Sequence, residues 1–299
     1  MNNDQWVGIK GFLTETRLYY LICAILMFFL GGAIANYLGR KLSWSLFSIG
    51  LFLIIAIQLS ASIVSVYIQR SMIKLRNDDK QQNKKADREL ILLAGLALIL
   101  TVDAVLIVLL LQTQKLHMTA WVLLSIILIV SILKSSPMIN NNISPYNDIL
   151  EGILIVGLVP AFSLVLQINE LHRLLMMSTI PLLFVYFASR LASGFSSYAQ
   201  DLKAAKRSIL IIIGWQRGIF LHNLFLLSGF LALGFATLFG LPWAIVWPVL
   251  LTLPLALFQI WQLLRIGQGC KPNWRLLKIN AYTLFGITSY MLIFTFMTS

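Results

Sequence analysis

The feature that most constrains this chain is a series of nine apolar runs, each close to the roughly 17–25 residues that an α-helix needs to cross about 30 Å of hydrocarbon. Their cores are residues 18–38, 44–68, 90–112, 118–134, 149–168, 173–192, 216–238, 242–264 and 279–298. Runs this long, without polar alternation, must satisfy their backbone hydrogen bonds internally, so they are helices and not barrel strands. Only 11% of the residues are charged and 59% are hydrophobic, whereas a water-soluble domain carries roughly a quarter charged residues. The soluble classes are excluded. The expected fold class is an all-α integral membrane protein, with residues 1–299 forming a single nine-helix domain. The first run is too long for a cleaved signal peptide and lacks a small-residue cleavage pattern.

The 23 Lys and Arg set the orientation. With nine spans, Arg40, Lys41, Lys115 and Arg173 fall on one side and the other 19 fall on the side of the N-terminus. The positive-inside rule then puts the N-terminus in the cytoplasm and the C-terminus outside, as expected of a protein in a prokaryotic inner membrane. The net charge of +12 is therefore topology plus attraction to anionic headgroups, and no nucleic-acid partner is expected. Two cysteines, Cys23 and Cys270, and three scattered histidines, His117, His172 and His222, exclude a disulfide framework and a Cys- or His-rich metal centre.

Two cytoplasmic connections exceed what a bundle needs: residues 70–89, RSMIKLRNDDKQQNKKADRE, and 190–214, RLASGFSSYAQDLKAAKRSILIIIG. The first holds Asp78 and Asp79 among seven basic residues. In the second, Asp201, Lys206 and Arg207 lie within two helical turns, an acid suited to a divalent cation beside bases suited to a diphosphate. A solvated juxtamembrane segment would show the same mixture. Asp103, inside the third run, is an ionisable intramembrane residue and hence a functional candidate, as in a transport path, or a structural one. Asp148 with Glu151, and Glu170 with His172, sit at span ends and read as solvated at the interface.

The run Asp201-Leu202-Lys203-Ala204-Ala205-Lys206-Arg207-Ser208-Ile209 resembles the second motif, D-x-x-x-D-x-x-A-G-K-R-[ST]-L, of the UbiA-type intramembrane prenyltransferases, and within them the menaquinone-branch (MenA-like) enzymes. The opening FLTETRLYYLICAILMFFLGGAIA, with Arg17, and the closing WRLLKINAYTLFGITSYMLIFTFM are similar to the same family, so the resemblance spans nearly the whole chain. It implies a nine-helix bundle around a cavity that opens laterally to lipid. It also implies two acidic motifs, at the cytoplasmic ends of helices 2 and 6, that hold Mg²⁺ against a prenyl diphosphate.

Those acids are largely replaced. Aligning IQLSASIVSVYIQR with the first motif, N-x-x-N-D-x-x-D, sets Ser62 and Ser65 at the Asn positions, Val66 and Gln69 at the Asp positions and Tyr67 at the usual Tyr. In the second motif the earlier Asp is Ser197, and Asp201 remains. Mg²⁺ demands charged oxygen ligands that Ser and Gln do not supply. The preferred expectation is a UbiA-like pseudoenzyme, without Mg²⁺-dependent transfer, that binds an isoprenoid, quinone- or pigment-like lipid or serves as an accessory subunit of a membrane complex. The alternative is an active prenyltransferase acting on an aromatic acceptor. Its rebuilt diphosphate site would use Arg17, Lys206 and Arg207, and Asp201, Asp78 and Asp79 would be the metal ligands if Mg²⁺ takes part.

Overall fold

A computed structural model of the chain describes residues 15–76, 82–112, 117–135, 146–203 and 208–299, with side chains for all of these except 15–17, 66, 68–76, 82–92 and 146. No strand occurs among the described residues. The helices are α1 (Glu15–Tyr37), α2 (Trp44–Arg76), α3 (Gln82–Gln112), α4 (Met118–Ser135), α5 (Tyr146–Gly152), α6 (Val159–Ile168) and α7 (Arg173–Phe195). After them come α8 (Tyr198–Lys203), α9 (Ile209–Ile213), α10 (Trp215–Ala236), α11 (Trp243–Leu250), α12 (Leu253–Gly267) and α13 (Trp274–Thr298). Among the described residues, eight helical stretches are long and apolar enough to span a bilayer, and the bent pair α11 and α12 makes a ninth where it crosses as one span. The all-helical membrane expectation is met, with eight or nine spans.

Three details differ from straight spans. The eighth run is not continuous: α11 and α12 meet at a bend of 41°. Pro254 explains the break, because it lacks the N–H that would bond the Leu250 carbonyl and its ring crowds that carbonyl. The fifth run holds a wide π turn over Ile153–Leu158, in which the Val159 N–H reaches back five residues to the Leu154 carbonyl. Pro160 follows it and cannot donate to Val156, which favours the wide turn just upstream. The segments expected as loops at 70–89 and 190–214 are largely helical where described: α2 continues to Arg76, α3 begins at Gln82, α7 ends at Phe195, and α8 and α9 follow.

The α5–α6 span is the most enclosed and α3 the least, with 72% and 11% of the residues in their most apolar stretches buried. Lipid tails are as apolar as Leu, so helices associate through close fit, and small residues allow it. Gly31 of α1 lies so close to the Pro160 carbonyl and Ser163 of α6 that a Cβ would collide with both. Ser163 Oγ donates to the Phe28 carbonyl at 2.6 Å across the same contact. Phe28, Phe162, Tyr186, Phe285 and Phe296 fill the centre between α1, α6, α7 and α13. This packing sets the starts of α1, α5 and α13 beside the end of α7.

Candidate functional site

A cavity of about 920 Å³ occupies that end of the bundle. Its apolar wall includes Phe187 of α7, Leu221 and Phe225 of α10, and Ile209, Leu210, Ile212 and Ile213 of α9. Helix α9 is a single turn held at both ends. Ser208 Oγ accepts the Ile211 N–H at 3.3 Å, and Gly214, at φ +84°, turns the chain into α10 through backbone geometry that favours glycine. The polar side of the cavity carries Tyr20, Asp148, Arg190, Ser193, Ser197, Asp201, Ser208, Lys278 and Tyr282.

The charges at this end are matched across helices. Arg190 Nη2 donates to Asp148 Oδ1 at 2.6 Å, joining α7 to α5. Lys134, at the end of α4, pairs with Glu151 one turn beyond Asp148. Both cations also lie over the ring of Tyr20 on α1, the Arg190 guanidinium at 4.8 Å from the centroid and the Lys134 ammonium at 5.2 Å. Two ion pairs and one aromatic face thus tie four spans together, where desolvated charges interact far more strongly than in water. Arg190 Nε is buried without a hydrogen-bond partner among the described residues.

The reading of Asp148 and Glu151 as interface-solvated is therefore corrected: Glu151 is 2% exposed and ion-paired, and Asp148 turns toward the cavity. Glu170, by contrast, is exposed, and the His172 ring caps α7 by accepting the Leu174 N–H at 3.3 Å. Sequence reasoning passed over Lys134, Tyr20 and Arg190. The available signal was the spacing of Asp148 and Glu151, three apart and on one helix face, opposite basic residues at the same depth in two other spans.

Of the motif positions, Ser197 and Asp201 come together on the cavity wall, with Ser197 Oγ donating to Asp201 Oδ2 at 2.7 Å. The first-motif positions Ser62, Ser65, Val66, Tyr67 and Gln69 lie on α2. Ser62 Oγ donates to its own helix at the Gln58 carbonyl, 2.8 Å away. No α2 side chain is among the described lining residues. Arg17 lies in the first turn of α1, with its side chain outside the described set, and Asp78, Asp79, Lys206 and Arg207 lie outside the described residues. Asp103 is buried in α3, away from the cavity lining, and its Oδ1 has no partner among the described residues.

The described donor set is thin for Mg²⁺. Of the two carboxylates in the cavity, Asp148 is neutralised by the Arg190 guanidinium, which leaves Asp201, bonded by the Ser197 hydroxyl, as the only other carboxylate among the described lining residues. No group of three or more His, Cys, Asp or Glu side chains converges among the described residues. Mg²⁺ beside a diphosphate is held by one or two carboxylates in near-ideal octahedral oxygen geometry, so Asp201 alone supplies the minimum of such a set.

A solved structure of a digeranylgeranylglyceryl phosphate synthase resembles this chain with a TM-score of 0.61, covering 95% of this chain and 97% of that one at 12% sequence identity. No protein-family model and no curated protein matches the chain. At that identity the likeness shows the fold alone: the chain shares the helical membrane bundle of that synthase.

Proposed function

We propose that this protein is a UbiA-like membrane protein that no longer carries out Mg²⁺-dependent prenyl transfer and instead holds an isoprenoid lipid, as an accessory component of a membrane complex. The observation that carries this reading is the contrast between the cavity's two sides. Its apolar wall and 920 Å³ volume suit a chain-bearing lipid. Its carboxylates, however, are few: Asp148 is paired with Arg190, and Asp201 is the only other among the described lining residues. The structural neighbour makes an isoprenoid-bearing glyceryl phosphate, which favours the isoprenoid class. The menaquinone-branch likeness of the segment beginning at Asp201 favours a quinone-type head. We further infer that the cavity faces the cytoplasm of a prokaryotic cell, because 19 of the 23 Lys and Arg fall on its side of the bundle.

Ser193, Ser197, Ser208 and Tyr282 provide hydroxyls for a carbonyl- or hydroxyl-bearing ring, and Lys278 provides positive charge for an oxygen-rich head. Neither role requires a bond to break. The test is gentle purification from native membranes, lipid extraction with mass spectrometry, and assay of the same sample with prenyl diphosphate and Mg²⁺. The expected result is a near-stoichiometric isoprenoid lipid with no release of diphosphate. Turnover that disappears in Asp201→Asn would make the protein an enzyme and overturn the silent reading, and a preparation free of isoprenoid would overturn the binding.

A further inference from the structure

A second space lies outside the cavity, between α1 and α13, with a volume of about 520 Å³. On α13 it is bordered by Arg275, Lys278, Ile279, Tyr282, Thr283 and Gly286, and on α1 by Leu18, Ile22 and Leu26 with Tyr19 and Cys23. Tyr19 and Tyr282 stack at 4.1 Å between their centroids, closing the groove's floor toward the bundle interior. Below them, a Cβ on Gly286 would meet nothing within 4 Å, so the groove continues past the aromatic pair as open space. Leu18, Ile22 and Ile279 are each about half exposed along its rim.

The two ends of this groove differ in chemistry. Arg275 and Lys278 stand one turn apart at the start of α13, and no acidic residue is among the groove's described lining residues. The walls then become apolar for the rest of its course. From Arg275 to Gly286 the helix rises about 16 Å, which is close to one leaflet of a hydrocarbon core some 30 Å thick. Cations at headgroup depth above an apolar slot one leaflet long are complementary to an anionic phospholipid.

We propose that the α1–α13 groove is a binding site for one anionic phospholipid of the surrounding bilayer, its phosphate on Arg275 and Lys278 and one acyl chain laid along Ile22, Leu26 and Gly286. The groove shares Lys278 and Tyr282 with the lining of the isoprenoid cavity, on the other side of the stacked tyrosines. Arg275 and Gly286 belong to the groove and not to the cavity lining, so they allow the two to be probed apart.

The experiment is native mass spectrometry of the full chain released from vesicles of equal phosphatidylglycerol and phosphatidylcholine, with inorganic phosphate as competitor. One retained phosphatidylglycerol is expected, undisplaced by phosphate. Arg275→Ala should lower its preference over phosphatidylcholine about five-fold, the loss expected of one cation near the surface. Gly286→Leu should lower retention of both lipids by filling the slot, and retention of the isoprenoid should stay unchanged in both variants. Equal retention of the two lipids by the unmodified chain overturns the proposal. So does unaltered phosphatidylglycerol preference in Arg275→Ala, a variant that needs no repacking. Retention that rises severalfold on removal of residues 2–10 would show the chain's own beginning in the groove, and would also overturn it.

Discussion

Glu151 is 2% exposed and its carboxyl is paired with the Lys134 ammonium inside a bilayer-embedded bundle. Removing one member of a buried pair leaves the other desolvated and uncompensated, whereas replacing both with apolar groups removes the penalty along with the attraction. Lys134→Met should therefore destabilise the protein by about 3 kcal/mol, and Lys134→Met with Glu151→Met should recover most of that loss. Thermal unfolding of the detergent-solubilised protein, followed by size-exclusion recovery, measures both. A double variant no more stable than the single would mean that the pair's geometry, and not the stranded carboxylate, sets the cost. The Arg190–Asp148 pair is more open, with 17% and 29% side-chain exposure, so its loss should cost less.

At the scale of elements, the π turn over Ile153–Leu158 decides where those acids point. One extra residue in a turn rotates everything before it by about 100° relative to a regular helix. With it, α5 presents Asp148 and Glu151 to Arg190 and Lys134 while α6 keeps its packed face against α1. Deleting Gly157 removes the one residue that the wide turn absorbs, so it should restore regular helix there and leave both acids facing their partners. A Cβ at Gly157 would touch nothing within 4 Å, so the deletion removes no packed side chain. The expected outcome is a drop in melting temperature smaller than that of Lys134→Met alone. Adding Lys134→Met to the deletion should then cost about what it costs in the full-length chain, because the interaction it removes is still present. A deletion variant in which Lys134→Met costs nothing would show that Glu151 no longer reaches Lys134 and would refute this account.

For the whole molecule, nine spans would place the two termini on opposite sides of the membrane, which is the expectation from the charge distribution. Reporter fusions at the two ends should therefore report opposite compartments, with the N-terminal one cytoplasmic. Identical compartments would mean that the α11–α12 pair, bent by 41°, enters and leaves on one side as a re-entrant loop. Sequence alone was enough for the all-helical class and for the eight uninterrupted spans, because hydrocarbon forces every apolar run of this length to close its own hydrogen bonds. It was enough, too, to see that Ser62, Val66, Gln69 and Ser197 stand where the resembling family has Asn or Asp, since a lost charge is visible in one letter. Tertiary structure alone decided which charges meet. Lys134 and Glu151 are 17 residues apart, and Arg190 and Asp148 are 42 apart; nothing local links them. Nor does apolar periodicity reveal which faces of such helices touch protein, because inside a bilayer lipid-facing and partner-facing surfaces are equally apolar. The cavity, the aromatic ring of Tyr20 between two cations and the groove beside α13 exist only through that packing.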